Sequence, residues 1–81
     1  MSDVEKRFKA IVADIFNIKP AKIKNGTRFI GDLNAKSLDV IALIAATENE
    51  FGIKVPAQDA RNNKTVKQAV DYIKKKLKKK K

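Results

Sequence analysis

The sequence predicts an all-α fold: a small four-helix bundle with three long helices and one short one. Three observations predict it. Apolar residues recur at helical spacing in three separate stretches, within 3–16, 37–51 and 66–77. Residue types that start or stop helices flank these stretches. No stretch reads as a convincing strand, since Ile53-Lys54-Val55-Pro56 is too short to argue a sheet and has no partner. Helices without strands must bury their apolar stripes on one another. At 81 residues one domain is expected. A domain of this size buries roughly 60% of its unfolded surface, enough for a modest core.

The first helix is expected over about 3–16. Ser2-Asp3-Val4-Glu5 fits a capping box. Val4, Phe8, Ile11, Val12, Ile15 and Phe16 then form one apolar stripe facing a core. Asn17 is a plausible stop, and Pro20 bars simple continuation. Residues 17–36 make a long connection, a length that tends to be functional or well packed. Asn25-Gly26 signals a turn, and Gly31 permits unusual backbone angles. Ile18, Ile23, Phe29, Ile30 and Leu33 should pin this loop to the core.

The central helix, about 37–51, carries two apolar rows. Val40, Ile44, Thr47 and Phe51 form one; Leu38, Ile41 and Ala45 form the other. Together they are too wide for a one-sided surface helix, so one row can face a core and leave the other for something else. Gly52 is the expected stop. An extended linker leads to Pro56, which starts a short turn of helix over about 57–61 with Asp59 in its first turn and Asn62-Asn63 at its end. Thr65 caps the last helix, along which Val66, Ala69, Val70, Ile73 and Leu77 keep the 3–4 spacing.

The composition narrows the function. There is no cysteine and no histidine. That excludes disulfides, thiolate or imidazole metal sites and the usual general base. A hydrolase built on a serine would need an adjacent base that the chain lacks. No apolar run reaches membrane-spanning length, and the N-terminus lacks a secretory pattern, so a soluble cytoplasmic protein is expected. Net charge is +10. Seven lysines lie within 74–81, which leaves 12 basic and 9 acidic groups elsewhere, a balance of +3. The segment 31–51 sets Asp32, Asp39, Glu48 and Glu50 against Lys36, so it is locally acidic in a basic molecule. The lysine run reads as a solvated helix end complementing the dipole, or as an arm for anions. In the second case each lysine near an anionic membrane adds about 1 kcal/mol. On DNA, seven neutralised phosphates give a slope of about −6 in log K against log salt.

Ser37 opens the central helix. Serine is a favoured N-cap residue, and capping alone would account for it. A helix start also suits a phosphate, because it offers unpaired N–H groups and the positive end of the dipole. The surrounding residues read Asp32-Leu33-Asn34-Ala35-Lys36-Ser37-Leu38-Asp39, then Glu48-Asn49-Glu50-Phe51-Gly52, Ile53-Lys54-Val55-Pro56, Thr65-Val66 and Ala69-Val70-Asp71-Tyr72-Ile73. This ordered set resembles the acyl carrier proteins over nearly the whole chain, missing only the lysine-rich end. The resemblance implies a four-helix bundle of acyl-carrier-protein type, with a carrier domain at 1–77 and a lysine-rich tail at 78–81. It implies a monomeric, non-catalytic protein. Its Ser37 would hold a covalent 4′-phosphopantetheine, attached by a phosphopantetheinyl transferase. The arm would carry acyl groups as thioesters between synthase and acyl-transferring enzymes of fatty-acid, lipid or polyketide biosynthesis.

The same resemblance implies partner contacts at Leu38, Asp39, Ile41, Ala45 and Glu48, and an acyl chain sheltered among Phe8, Ile44, Ile53 and Ile73. The chain also departs from the family pattern. Lys36 stands where Asp usually precedes the serine, Asn34 where Gly is usual, and Ala42 where an acidic residue is typical. Thr47 and Asn49 thin the acidic density near the helix end. These changes point to a specialised carrier with dedicated partners. The competing expectation is a small helical protein that binds nucleic acid or anionic membrane through its lysine tail, with Ser37 unmodified.

Overall fold

The first helix sets the frame. In a computed structural model, which describes residues 3–79, α1 (Asp3–Phe16) packs against α2 (Ser37–Phe51) and α4 (Val66–Lys79), with the short α3 (Ala57–Asn62) against α2. The expected all-α bundle of three long helices and one short one is therefore present. Ser2, expected to cap α1, lies outside the described residues.

The apolar stripe of α1 buries Phe8 and Val12, together with Ala13. They meet Val66, Ala69, Val70 and Ile73 from α4 and Phe51 from α2 in one core. Full burial of a Val, Ile or Phe side chain contributes about 1.5–3 kcal/mol. These residues are what hold a chain this small together.

The helix ends follow backbone chemistry. Asn17 takes a left-handed φ of 56°, and the Ile18 N–H reaches back to the Ala13 carbonyl at 3.0 Å. That bond closes α1 in a Schellman-type stop. Gly52, at φ 64°, ends α2. At α4, Thr65 Oγ1 accepts the Gln68 N–H at 3.2 Å, while Gln68 Oε1 accepts the N–H groups of Thr65 at 3.1 Å and Lys64 at 2.7 Å. Thr65 is the expected cap; Gln68, its reciprocal partner, was not anticipated.

The connection from Asn17 to Lys36 is ordered by two devices. A 3-10 turn at Pro20–Lys22 delivers Ile23 to the core. Further on, the loop pairs with the start of α4. The Phe29 N–H bonds the Lys64 carbonyl at 3.1 Å, and the Val66 and Lys67 N–H groups bond the Thr27 and Asn25 carbonyls at 3.0 and 2.9 Å. Loop carbonyls thus satisfy helix-end donors that would otherwise be orphaned. This small antiparallel bridge, Arg28 to Thr65, was not legible as a strand.

Two loop expectations are corrected. Ile30 is not pinned to the core; it is 73% exposed. Gly31 has no left-handed φ. What its small size provides is space, because a Cβ there would lie 3.0 Å from Nε of Arg28. The left-handed position is Asn34, at φ 55°. Asn tolerates that conformation better than most residues with a side chain, which explains how it stands where Gly is usual.

Candidate functional site

Residues 28–35 fold into overlapping turns that lead into α2. The Asp32 and Leu33 N–H groups bond the Arg28 carbonyl at 2.9 and 3.1 Å; those of Asn34 and Ala35 bond the carbonyls of Ile30 and Phe29 at 3.1 and 2.9 Å. Asp32 closes the knot by accepting the Arg28 N–H at 2.8 Å. That bond, with the Arg28 guanidinium beside it, holds the Asp32 carboxyl below the usual carboxylate range. Phe29 anchors the unit inside, edge-on to Phe8 with ring centroids 6.2 Å apart. The segment before Ser37 is thus fixed by its own backbone and by one aromatic contact.

Ser37 is not the cap of α2. The cap is Lys36, and Ser37 is the first helical residue. Asp39, three residues on, accepts the Lys36 N–H at 3.0 Å. A lysine side chain has no acceptor to return that bond, so only this half of a capping box is made. The reading of Ser37 as a helix cap is therefore corrected. Its hydroxyl is exposed and makes no hydrogen bond within the described residues. The first rung of the helical ladder is the Val40 N–H on the Lys36 carbonyl at 3.0 Å. The N–H groups of Ser37, Leu38 and Asp39 precede the ladder and sit at the positive end of the dipole.

The two rows of α2 separate as the width of its apolar surface suggested. Thr47 and Phe51 are buried, with Val40 and Ile44 half-buried beside them. Leu38 and Ile41 are 79% and 61% exposed, and Ala45 is exposed on the same row. Thr47 does not thin an acidic surface, because only 4% of it is exposed.

Every carboxylate of this segment is engaged locally. Asp32 and Asp39 hold backbone N–H groups of the loop and the helix cap. Glu48 accepts the Val55 N–H at 2.8 Å, fixing the linker against α2. Glu50 accepts from Arg7 Nε at 2.8 Å, and Arg7 Nη2 also donates to the Glu50 carbonyl at 2.9 Å. The same guanidinium lies 4.7 Å from the Phe51 ring centroid. The five positions expected to meet partners thus fall into an open apolar row of Leu38, Ile41 and Ala45, and two acids, Asp39 and Glu48, that also serve the fold.

Beside the inner row lies a cavity of about 340 Å³. That is within the size range of small-molecule pockets, roughly 300–1,000 Å³. Phe8, Ile44 and Ile73 line it as expected; Ile53 is buried but takes no part in the lining. Its buried wall is Phe8, Phe29, Thr47, Val55, Ala69 and Ile73, and its exposed rim includes Arg28, Ile30, Arg61 and Lys64. Tyr72 also lines it, donating from its hydroxyl to Asp59 at 2.6 Å. Burial, reinforced by that bond, pushes the Tyr72 phenol up to about 12. Periodicity places a residue on a face but says nothing of voids, so Arg28, Thr47 and Tyr72 were not picked out as cavity residues.

α2 thus presents an exposed serine at its first turn, backed by a bundle with an apolar hollow. Comparison with known proteins shows the family. The family described as "Phosphopantetheine attachment site" matches residues 6–73. The chain is 47% identical, over 98% of its length and 100% of the other's, to the acyl carrier protein of Buchnera aphidicola subsp. Schizaphis graminum (strain Sg). Among solved structures it is similar to the thermally stable acyl carrier protein from Enterococcus faecalis, with a TM-score of 0.78, 31% identity, and coverage of 91% of this chain and 94% of that one. The chain belongs to the phosphopantetheine-binding acyl carrier family, whose members are non-catalytic carriers.

Proposed function

We propose that this protein carries acyl intermediates of fatty-acid or related lipid or polyketide biosynthesis on a 4′-phosphopantetheine joined to Ser37. The observation that carries the reading is the exposed hydroxyl of Ser37 at the first turn of α2, which makes no hydrogen bond among the described residues, with Lys36 in the cap position and Asp39 bonded to its N–H. In this reading a transferase would move the phosphopantetheinyl group from a diphosphate-linked donor: the Ser37 Oγ–P bond would form as the donor's P–O–P bond breaks, the rest of the donor would leave as a phosphate, and the serine proton would pass to a base of the transferase. The residues present suit that group. The leading N–H groups of α2 and the exposed Lys36 favour a phosphate there. The chain has no cysteine, so the arm supplies the thiol on which acyl groups ride as thioesters.

The chain's own residues do the rest. Leu38, Ile41 and Ala45 offer an apolar docking row for the transferase and the acyl-handling enzymes. Asp39 and Glu48 flank that row, but each also holds a backbone N–H. Docking here therefore leans on apolar contact more than on charge, in keeping with Lys36 and Ala42 standing where the family has acids. The cavity behind α2 shelters the acyl chain from water. Tethering raises the effective concentration of cargo at each enzyme to about the millimolar range.

Intact-mass measurement tests the reading. After incubation with a phosphopantetheinyl transferase and its donor, the protein is expected to gain one phosphopantetheine, and Ser37→Ala none. An unchanged mass with every transferase, together with salt-sensitive binding to DNA or anionic vesicles that is lost on deleting 74–81, would favour the lysine tail as the functional element.

A further inference from the structure

Thr47 is out of place in an apolar wall. It is 4% exposed, on the inner row of α2, and lines the cavity with Phe8, Phe29, Val55, Ala69 and Ile73. A buried threonine in a helix commonly returns its hydroxyl to the carbonyl one turn back. Thr47 does not, and among the described residues its Oγ1 has no hydrogen-bond partner. Nor is that oxygen sealed off, since among the described residues no fully buried side-chain oxygen is left unpaired; the open space Thr47 meets is the cavity. It is the single polar side chain of the buried wall. A cavity built only for a saturated hydrocarbon gains nothing from a hydroxyl there, because an unpaired polar group disfavours apolar cargo. Valine, of nearly the same shape, would serve such cargo better.

We infer that Thr47 is a specificity-determining residue: the cavity takes an acyl chain that carries a hydroxyl or oxo group, which Thr47 Oγ1 meets by hydrogen bond. Thr47 lies ten residues along α2 from Ser37, about 15 Å of helix. The polar group it recognises therefore lies inside the bundle, and not at the phosphate. A hydroxyl both donates and accepts, so it pairs with either an alcohol or a ketone on the chain. This inference rests on the carrier reading.

The test uses the full chain loaded at Ser37 with octanoyl, and with octanoyl chains bearing one hydroxyl or one oxo group at successive positions. Two quantities are read for each loaded form: the rate at which hydroxylamine cleaves the thioester, and the melting temperature. At one position at least, the oxygenated chain should be cleaved about fivefold more slowly than octanoyl, the weight of one net hydrogen bond. The same form should melt higher. Thr47→Val should abolish both differences, and Thr47→Ser should retain them. Equal or better protection of plain octanoyl at every position overturns the inference, as does an unchanged preference in Thr47→Val. In both cases the loaded protein leaves the carrier reading intact. Failure to load any chain at Ser37 overturns both.

Discussion

The Asp39 carboxylate accepts the backbone N–H of Lys36 at 3.0 Å, across a Ser37 whose hydroxyl makes no hydrogen bond among the described residues. Serine is among the residues best able to cap a helix, yet here it stands one position too late to do so. The consequence is an asymmetry between two neighbouring residues. Asp39→Ala removes the only side-chain contribution to the α2 cap among the described residues and should cost about 1 kcal/mol. In a domain of this size that lowers the melting temperature by about 4–8 °C. Ser37→Ala should change stability by less than about 0.5 kcal/mol. Thermal unfolding of the two variants checks this. A Ser37→Ala loss as large as that of Asp39→Ala would mean that the hydroxyl is structural.

The two rows of α2 predict opposite behaviour on truncation. Leu38 and Ile41 are exposed, so Leu38→Ala and Ile41→Ala should leave stability within about 0.5 kcal/mol of the parent. Phe8 is 2% exposed and lines the cavity, so Phe8→Ala should cost about 3–5 kcal/mol, enough to unfold much of so small a domain. If the outer row docks transferases, Leu38→Ala and Ile41→Ala should raise the KM for loading. Glu50→Gln, which loses only a surface ion pair with Arg7, should leave that KM within about twofold. A KM that responds to Glu50→Gln and ignores Ile41→Ala would contradict apolar docking.

Tyr72 makes stability fall at high pH. Its phenol titrates near 10 in an unfolded chain and near 12 here, because burial and the bond to Asp59 favour the neutral form. The folded state therefore holds the proton more tightly than the unfolded one. The stability from this group is complete below pH 10 and is lost as pH rises from 10 through 12. Comparison with Tyr72→Phe isolates the phenol. Chemical denaturation at several pH values should show a shallower decline for Tyr72→Phe. Identical slopes would mean that the hydrogen bond to Asp59 is not kept in solution.

Much of this architecture was legible because helices announce themselves in the period of their apolar residues and in their stop signals. Asn17 and Gly52 both end helices in left-handed backbone, as their chemistry suggests. The outward row of Leu38 and Ile41 followed from an apolar surface wider than one core contact needs. What escaped was set by tertiary pairing. The Arg28–Thr65 bridge joins two segments that each look like loop. In sequence Gly31 suggests backbone freedom, whereas in the fold it leaves space for the Arg28 side chain. Thr47 fell on the correct face of its helix, but no pattern of spacing reveals a cavity or an unpaired hydroxyl within it. At Ser37 a single position decided the matter: with the cap one residue earlier, the same serine does not cap its helix.

Peptide mapping of the loaded protein tests the central claim most directly. Trypsin cleaves after Lys36 and Lys54, releasing one peptide that begins at Ser37 and also contains Thr47. Fragmentation of that peptide should place a single phosphopantetheine on Ser37, with Thr47 unmodified. A loaded protein whose modification lies anywhere else, or a Ser37 that stays bare under every loading condition, would contradict the account.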